Sequence, residues 1–436
     1  MYSKEMTLKE VYETSPIARD ILNEISVFAD RKYGYCAHPH VNFAPVQMVA
    51  YTIEHAVKVE TFDRLMDVIN RNPMQIIGKQ NGPAYGILKE AVMYECASYP
   101  DVFALEQACE LGMNMILFAW DLDMDEEEAK AMFEAAKEKG IAVILKLNLK
   151  NVDLVEAMKK MDKWIKDGAS GFCVEEADLI IADKVEKDTE TDFRRIHSVW
   201  GLQDAVFAPE IENYLQKIMK EVILPNRAFL FGKMTYDGIA TSARRCEGED
   251  RALDLVMTKL HLDGIEDKSL GHVDLNDYKQ MMINRYEDMP GYWPVLSTET
   301  IDGSVLSELV VEKSEDQEKA AKLLAVLMHT LKGSPCTVQG EEAGVELFYR
   351  DLLELRRNHK ALASGEMQIS NKKLFDIMTY KRFDEAGNTY YVECNISANE
   401  NVIAPERPEG AELLLSNYED TSKMLRPYEA NIYKVK

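Results

Sequence analysis

The stretch DLDMDEEEAKAMFEAAKEKGIAVILKLNL (121–149) carries two different periodicities back to back. The acidic run Asp121 to Glu128 opens a helix, where negative charge suits the N-terminal end of the dipole, and Met132, Phe133 and Ala136 give that helix its apolar stripe. Gly140 stops it. IAVILKLNL (141–149) follows as a short, nearly continuous apolar run, the pattern of a strand buried on both faces. The same grammar recurs downstream. Val155 to Lys166 reads as a helix closed by Asp167-Gly168, and GFCVE (171–175) is the next strand. Tyr214 to Val222 is another helix, Pro225-Asn226 a turn, and AFLFG (228–232) another strand. Buried strands alternating with amphipathic helices predict an α/β protein with a parallel sheet, either open or closed into a barrel. A last long helix, Gln317 to Leu331, ends at Lys332-Gly333 with Pro335 beyond, a usual helix stop.

Outward from this body the pattern changes on both sides. Residues 1–82 predict a helical N-terminal domain: Leu8, Val11, Tyr12, Ile17, Ile21, Leu22 and Ile25 recur at helical spacing, with Thr7 as N-cap and Glu10 completing a capping box. Pro39, Pro45 and Pro73 break later helices, and Asn81-Gly82-Pro83 reads as a linker. Residues 83–365 form the α/β body. From 366 to 436 the segments LFDIMTYKRF, NTYYVECNIS, AELLLSNY and NIYKVK alternate apolar and polar residues between turns, predicting a C-terminal antiparallel β-sandwich domain.

Composition narrows the function classes. The 436 residues carry 51 Lys plus Arg against 75 Asp plus Glu, a formal charge of −24, which disfavours nucleic acid and anionic lipid surfaces. No apolar run reaches the length of a membrane span, and the N-terminus lacks the apolar core of a signal peptide. Seven dispersed cysteines without a C-x-x-C pair predict reduced thiols in the cytoplasm. No Gly-rich phosphate loop is present, so no cofactor is expected. Cys36, His38 and His40 fall on one side of an extended segment, but they lack a fourth ligand and tighter spacing, so a turn held by Pro39 is preferred over a metal.

In a parallel barrel the reacting groups stand at the C-terminal ends of the strands. The polar residues there are Lys146, Lys150, Glu175, Lys233 and Asp302. Glu175 and Asp302 supply the carboxylates that glycosidic hydrolysis uses in pairs, with Lys233 between them in chain order. Tyr286, Tyr292 and Trp293 are read as core, with stacking on a sugar as their alternative role.

Three segments carry a family resemblance. GSPCTVQGEEAGV (333–345), DLLELRRNHKAL (351–362), and LLLSNYED with LRPYEANIYKV (413–435) are similar to the α-amylase family of glycoside hydrolases, in its oligo-1,6-glucosidase and trehalose-6-phosphate hydrolase branch. The resemblance implies a (β/α)8 barrel of TIM type. It places an Asp nucleophile after the fourth strand, a Glu acid/base after the fifth and a second Asp after the seventh. Carried over position by position, Lys146, Lys150 and Asn151 stand for the Asp, Asn and His of the first signature. Cys173 and Glu175 replace the Arg and Asp of the nucleophile signature. Lys233 replaces the acid/base Glu, and Thr300 and Ile301 replace the Asn and His before Asp302, which is retained. Lys146, Asn151, Cys173 and Ile301 are thus substituted substrate-binding positions. The barrel is also shortened, because MILFAWDLD runs straight into the next helix.

These departures have physical consequences. Glu175 is one methylene longer than Asp, and misplacing a reacting group by about 1 Å can cost roughly a hundredfold in rate. An ammonium at Lys233 opposes the positive charge of an oxocarbenium-like transition state. Lys233 is therefore expected to pair with Glu175 or Asp302 as a structural salt bridge. The expectation is a non-catalytic protein that binds an α-glucoside or oligosaccharide, or a protein partner. The alternative is an active glycosidase with Glu175 as nucleophile and an acid from Glu176, Asp178 or Glu299. Residues 1–82 are the expected site of a protein contact or self-association.

Overall fold

The computed structural model describes residues 2–22 except 16, 17 and 20, then 40–52, 66, 69–70, 85–121 except 97–98, and 126–180 except 151. It further describes 209–234, 243–258, 266–267, 272–299 except 289–290, and 306–435 except 312–313, 401, 404, 406 and 421–423. Eight strands form one sheet: β1 Met93–Glu95, β2 Met115–Trp120, β3 Ala142–Asn148, β4 Gly171–Glu175, β5 Phe229–Met234, β6 Leu255–Thr258, β7 Val295–Ser297 and β8 Ser334–Val338. Their order is β6-β5-β4-β3-β2-β1-β8-β7, and every pairing is parallel. The first strand therefore pairs with the eighth, and the sheet curls into a nearly closed barrel whose seam lies between β6 and β7, which touch. Of the two arrangements open to the alternating pattern, the chain adopts the barrel.

Strand residues alternate faces, so the register decides what fills the interior. Met93, Met115, Leu117, Ile144, Cys173, Phe231, Leu255 and Met257 pack together inside the barrel, over Leu88 and Trp293. Their neighbours Tyr94, Ile116, Phe118, Val143, Leu145, Phe172, Val174 and Leu230 pack outward in the larger core that the helices cover. One interior position demands its glycine: a Cβ at Gly171 would lie 2.4 Å from the Phe229 carbonyl oxygen across the β4–β5 ladder.

The helices read at Val155 to Lys166 and Gln317 to Leu331 are found within one residue of their expected ends, whereas the first helix stops at Thr14, with Ser15 extended, short of the run read through Ile25. Helix α1, Leu8–Thr14, has the expected capping box: the Glu10 amide donates to Thr7 Oγ1 at 3.2 Å, and the Thr7 amide donates to Glu10 Oε2 at 2.8 Å. Around the barrel run α2 Tyr85–Glu90, α3 Val102–Leu111, α4 Glu126–Lys139, α5 Leu154–Asp167 and α6 Pro209–Ile218. Further along are α7 Leu275–Asp288, α8 Gln317–Thr330 and α9 Glu346–Asn358. Helix α6 begins five residues before the expected start at Tyr214 and continues through a π turn at Met219–Ile223, which moves the predicted end as well. Asp153 caps α5 by accepting from the Glu156 amide at 2.9 Å. Only residues 149–153 separate β3 from α5, so no inserted domain follows the third strand. Among the described residues no helix is long and apolar enough to cross a membrane.

The C-terminal region forms a five-stranded antiparallel sheet. Its strands are β9 Glu366–Ser370, β10 Ile377–Phe383, β11 Thr389–Asn395, β12 Glu412–Ser416 and β13 Ala430–Val435, in the order β9-β10-β11-β13-β12. Arg382 fastens it to the barrel. Its buried guanidinium donates to the carbonyls of Thr330 at 2.7 Å, Leu331 at 2.8 Å and Gly365 at 2.8 Å.

Candidate functional site

The interior layers of the barrel are apolar up to the C-terminal ends of the strands, where the same alternation brings charge inside. Two residues beyond Met93, Ile144 and Phe231 stand Glu95, Lys146 and Lys233, and two beyond Cys173 stands Glu175. Glu299 joins them from just beyond β7. The result is one network of three carboxylates and two ammoniums. Glu95 is its hub: Lys146 Nζ donates to Glu95 Oε1 at 2.9 Å, and Lys233 Nζ donates to the same oxygen at 2.5 Å. Lys233 Nζ also lies 2.6 Å from Glu299 Oε2 and 3.8 Å from Glu175 Oε1. Lys146 Nζ lies 3.9 Å from Glu175 Oε1.

Glu95, Lys146 and Lys233 are buried, whereas the side chains of Glu175 and Glu299 keep 27% and 20% of their surface in solvent. The network therefore presents carboxylates outward and hides its cations beneath them. Burial alone would push the Glu95 carboxyl up, but Lys233 and Lys146 together hold it down at about 2. Burial also pulls the two lysines down, and the carboxylates outweigh it, so both stay protonated with raised pKa. For Glu175 burial wins over both lysines, and its pKa is raised. The thiols beneath are neutral: burial pushes Cys173 and Cys336 well above the ordinary thiol range, and Cys336 Sγ donates weakly to Glu95 Oε2 at 3.8 Å.

Of the positions singled out by sequence, Lys146, Cys173, Glu175 and Lys233 are thus brought to one end of the barrel, while Asn151, Thr300, Ile301 and Asp302 lie outside the described residues. The expected pairing of Lys233 with Glu175 is present at 3.8 Å, and Asp302 lies outside the described residues. The shorter contacts of Lys233 are to Glu95 and Glu299, because the β1–β8 closure carries Glu95 across the barrel. Glu95 is not among the strand ends that the sequence marks. Its signal, VMYEC (92–96), is an apolar run ending in a carboxylate like GFCVE, but it is too short to announce a strand.

Two other readings resolve as packing or fall away from the network. Trp293 is fully buried and donates from Nε1 to Ser334 Oγ at 3.0 Å, Tyr292 is buried, and the Tyr286 hydroxyl donates to the Lys332 carbonyl at 2.6 Å. Glu176, at φ 46°, and Asp178 belong to a short 3-10 turn beyond β4. Cys36 and His38 lie outside the described residues, and no group of three potential metal ligands occurs among those described.

A sequence profile of the α-amylase catalytic domain matches residues 137–404. Trehalose-6-phosphate hydrolase of Escherichia coli K12 is 24% identical over 210 residues, which are 46% of this chain and 36% of that protein. Oligo-1,6-glucosidase of Heyndrickxia coagulans is 27% identical over 182 residues, 38% of this chain and 32% of that protein. The matches thus span about a third of the length of these curated relatives. Among solved structures, trehalose-6-phosphate hydrolase of Bacillus licheniformis superposes with a TM-score of 0.65 at 16% identity, covering 80% of this chain and 99% of that one. A trehalulose synthase gives a TM-score of 0.65 at 14% identity, covering 80% of this chain and 100% of that one.

Proposed function

Because the chain belongs to the α-amylase family of glycoside hydrolases, and resembles its α-glucosidases, we propose that it is a non-catalytic member that binds α-glucosides without cleaving them. One observation carries this reading: Lys233 Nζ lies within 4 Å of Glu95, Glu175 and Glu299 at once. A retaining glycosidase needs one ionised carboxylate as nucleophile and a second carboxyl as acid, about 5–5.5 Å apart. Here the carboxylates at the barrel mouth share two protonated lysines. An ammonium at this point repels the oxocarbenium-like charge that a free carboxylate would stabilise. Glu175, at the position that stands for the family's nucleophile, has its pKa raised by burial in spite of both lysines, which opposes the ionised form a nucleophile needs. The solvent-facing edges of Glu175 and Glu299 remain as acceptors for sugar hydroxyls.

A second reading draws on the same residue. A carboxyl with raised pKa and partial exposure has the properties of a general acid, so Glu175 favours that role if the protein hydrolyses at all. Hydrolysis of isomaltose and aryl α-glucosides by the full chain, beside Glu175→Gln, decides between them. No turnover in either protein, with heat of isomaltose binding in a calorimetric titration, is the expected result. Turnover lost in Glu175→Gln establishes an active hydrolase. Residues 1–82 are assigned to self-association or a protein partner. The free cysteines Cys96, Cys173, Cys246, Cys336 and Cys394, all buried, support a cytoplasmic setting.

A further inference from the structure

The turn between β9 and β10 and the groove between α3 and α9 are complementary in charge, and neither belongs to the barrel mouth. In the turn, Asn371 to Phe375 are all exposed, and the Phe375 side chain is 81% in solvent beside Leu374, Lys372 and Lys373. It is nevertheless held firmly. Buried Lys279, on α7, donates from Nζ to the carbonyls of Asn371 at 3.2 Å, Leu374 at 2.5 Å and Ile377 at 2.6 Å. Asn276 clasps Asp376 in both directions, its Nδ2 donating to Asp376 Oδ1 at 3.1 Å and its Oδ1 accepting from the Asp376 amide at 2.9 Å. A rigid loop that extends an aromatic ring into water has already met the ordering cost of docking when the chain folds.

The groove is a cavity of about 340 Å³ whose lining includes Phe103 and Leu347, which are 67% and 71% exposed. Its other walls include Glu106, Glu110 and Glu346 against the single cation Arg350. A groove that presents exposed apolar and acidic side chains together accepts an apolar tip that carries positive charge, and Lys372 and Lys373 beside Phe375 are such a tip. On a chain of net charge −24 this basic turn runs against the general sign. The turn is tethered to α7 while the groove is built by α3 and α9, so the fitting occupant is the turn of a second molecule.

We propose that this protein self-associates by seating the Lys372–Phe375 turn of one copy in the α3–α9 groove of another. The contact joins two different surfaces, so it forms either a reciprocal pair or a head-to-tail series. A single turn buries less area than a standard interface, and the association is correspondingly weak, in the micromolar to sub-millimolar range. At physiological ionic strength the screening length of about 8 Å leaves the local Lys–Glu pairs to decide, over the long-range repulsion of two polyanions.

Sedimentation velocity of the full chain over a wide concentration range tests this. The expected parent shows an average mass that rises with concentration. Phe375→Asp, which spoils the turn, and Leu347→Asp, which spoils the groove, each weaken association at least tenfold, and both replace exposed side chains that the fold does not need. The decisive arm mixes the two variants. Each retains the surface the other has lost, so the mixture forms a one-to-one complex that neither forms alone. A parent that sediments as a monomer throughout overturns the proposal. So does either variant associating like the parent, or a mixture that fails to complement.

Discussion

Glu95→Gln is the substitution that most directly probes the charged layer of the barrel. The carboxylate is buried, and its Oε1 accepts from Lys146 at 2.9 Å and Lys233 at 2.5 Å. Each ammonium at that separation attracts it by about 6 kcal/mol at an effective dielectric of 20, and the desolvation of three buried ions offsets most of the sum. The net value follows from its titration. A carboxyl lowered from 4.5 to about 2 stabilises the folded chain by about 3 kcal/mol once both folded and unfolded forms are ionised. That agrees with the loss of about 3–5 kcal/mol usual when one partner of a buried pair is removed. Urea unfolding followed by circular dichroism should therefore show Glu95→Gln about 3 kcal/mol less stable than the parent at neutral pH. The depressed pKa also fixes the sign with pH: the deficit is complete above about 4.5 and shrinks as pH falls toward 2, where the parent's own Glu95 takes up a proton. Adding Lys146→Met should cost less than the sum of the single changes by about 1–3 kcal/mol, since it removes a cation the first change left uncompensated. A loss under about 1 kcal/mol, a deficit independent of pH, or simple additivity refutes the account of Glu95 as hub.

Three further outcomes follow from groups elsewhere. Burial pushes Glu341 up to about 7 although it accepts from the Leu306 amide, so the folded chain holds a proton that the unfolded chain releases above about 4.5. Its contribution to stability therefore falls as pH rises through that window, and Glu341→Gln should flatten the slope and exceed the parent by at most about 3 kcal/mol above pH 7, read from unfolding curves at several pH values. Arg382→Met strips three buried carbonyls of their donor and should cost at least about 3 kcal/mol, with faster hydrogen exchange in β9 and β10 than in the barrel strands. Gly171→Ala brings a Cβ to 2.4 Å from the Phe229 oxygen and should lower stability by about 1–3 kcal/mol in thermal unfolding.

The charged layer also bears on the proposed absence of catalysis. Lys233 stands in a layer that also holds Glu95, Glu175 and Glu299, and it supplies a counter-charge to groups that would otherwise repel one another in a buried setting. On the proposed reading, the ammonium that disfavours hydrolysis is also one that favours folding. This gives the proposed loss of activity a physical route, since stability and catalysis pull in opposite directions at the strand ends.

The sequence by itself determined the elements that local chemistry governs. The buried strands at 141–149 and 171–175, the capping box of Thr7 and Glu10, and the helix ending before Gly333 rest on periodicity, capping and chain stiffness within a few residues. The segments after 333 likewise identified the family. The polar strand ends Lys146, Glu175 and Lys233 were legible as candidates, because a charge at the end of an apolar run is conspicuous. Their partners were not. Glu95 reaches Lys233 across 138 positions of sequence, through a three-residue strand whose only long-range instruction is to pair with β2 and β8. Such a pairing is fixed by closure of the sheet, which brings the first strand beside the last and turns every second residue inward. Tertiary structure alone decided that Lys233 bonds most closely to Glu95 and Glu299, because ion pairs inside a barrel depend on strand register around a ring and leave no periodic trace along the chain.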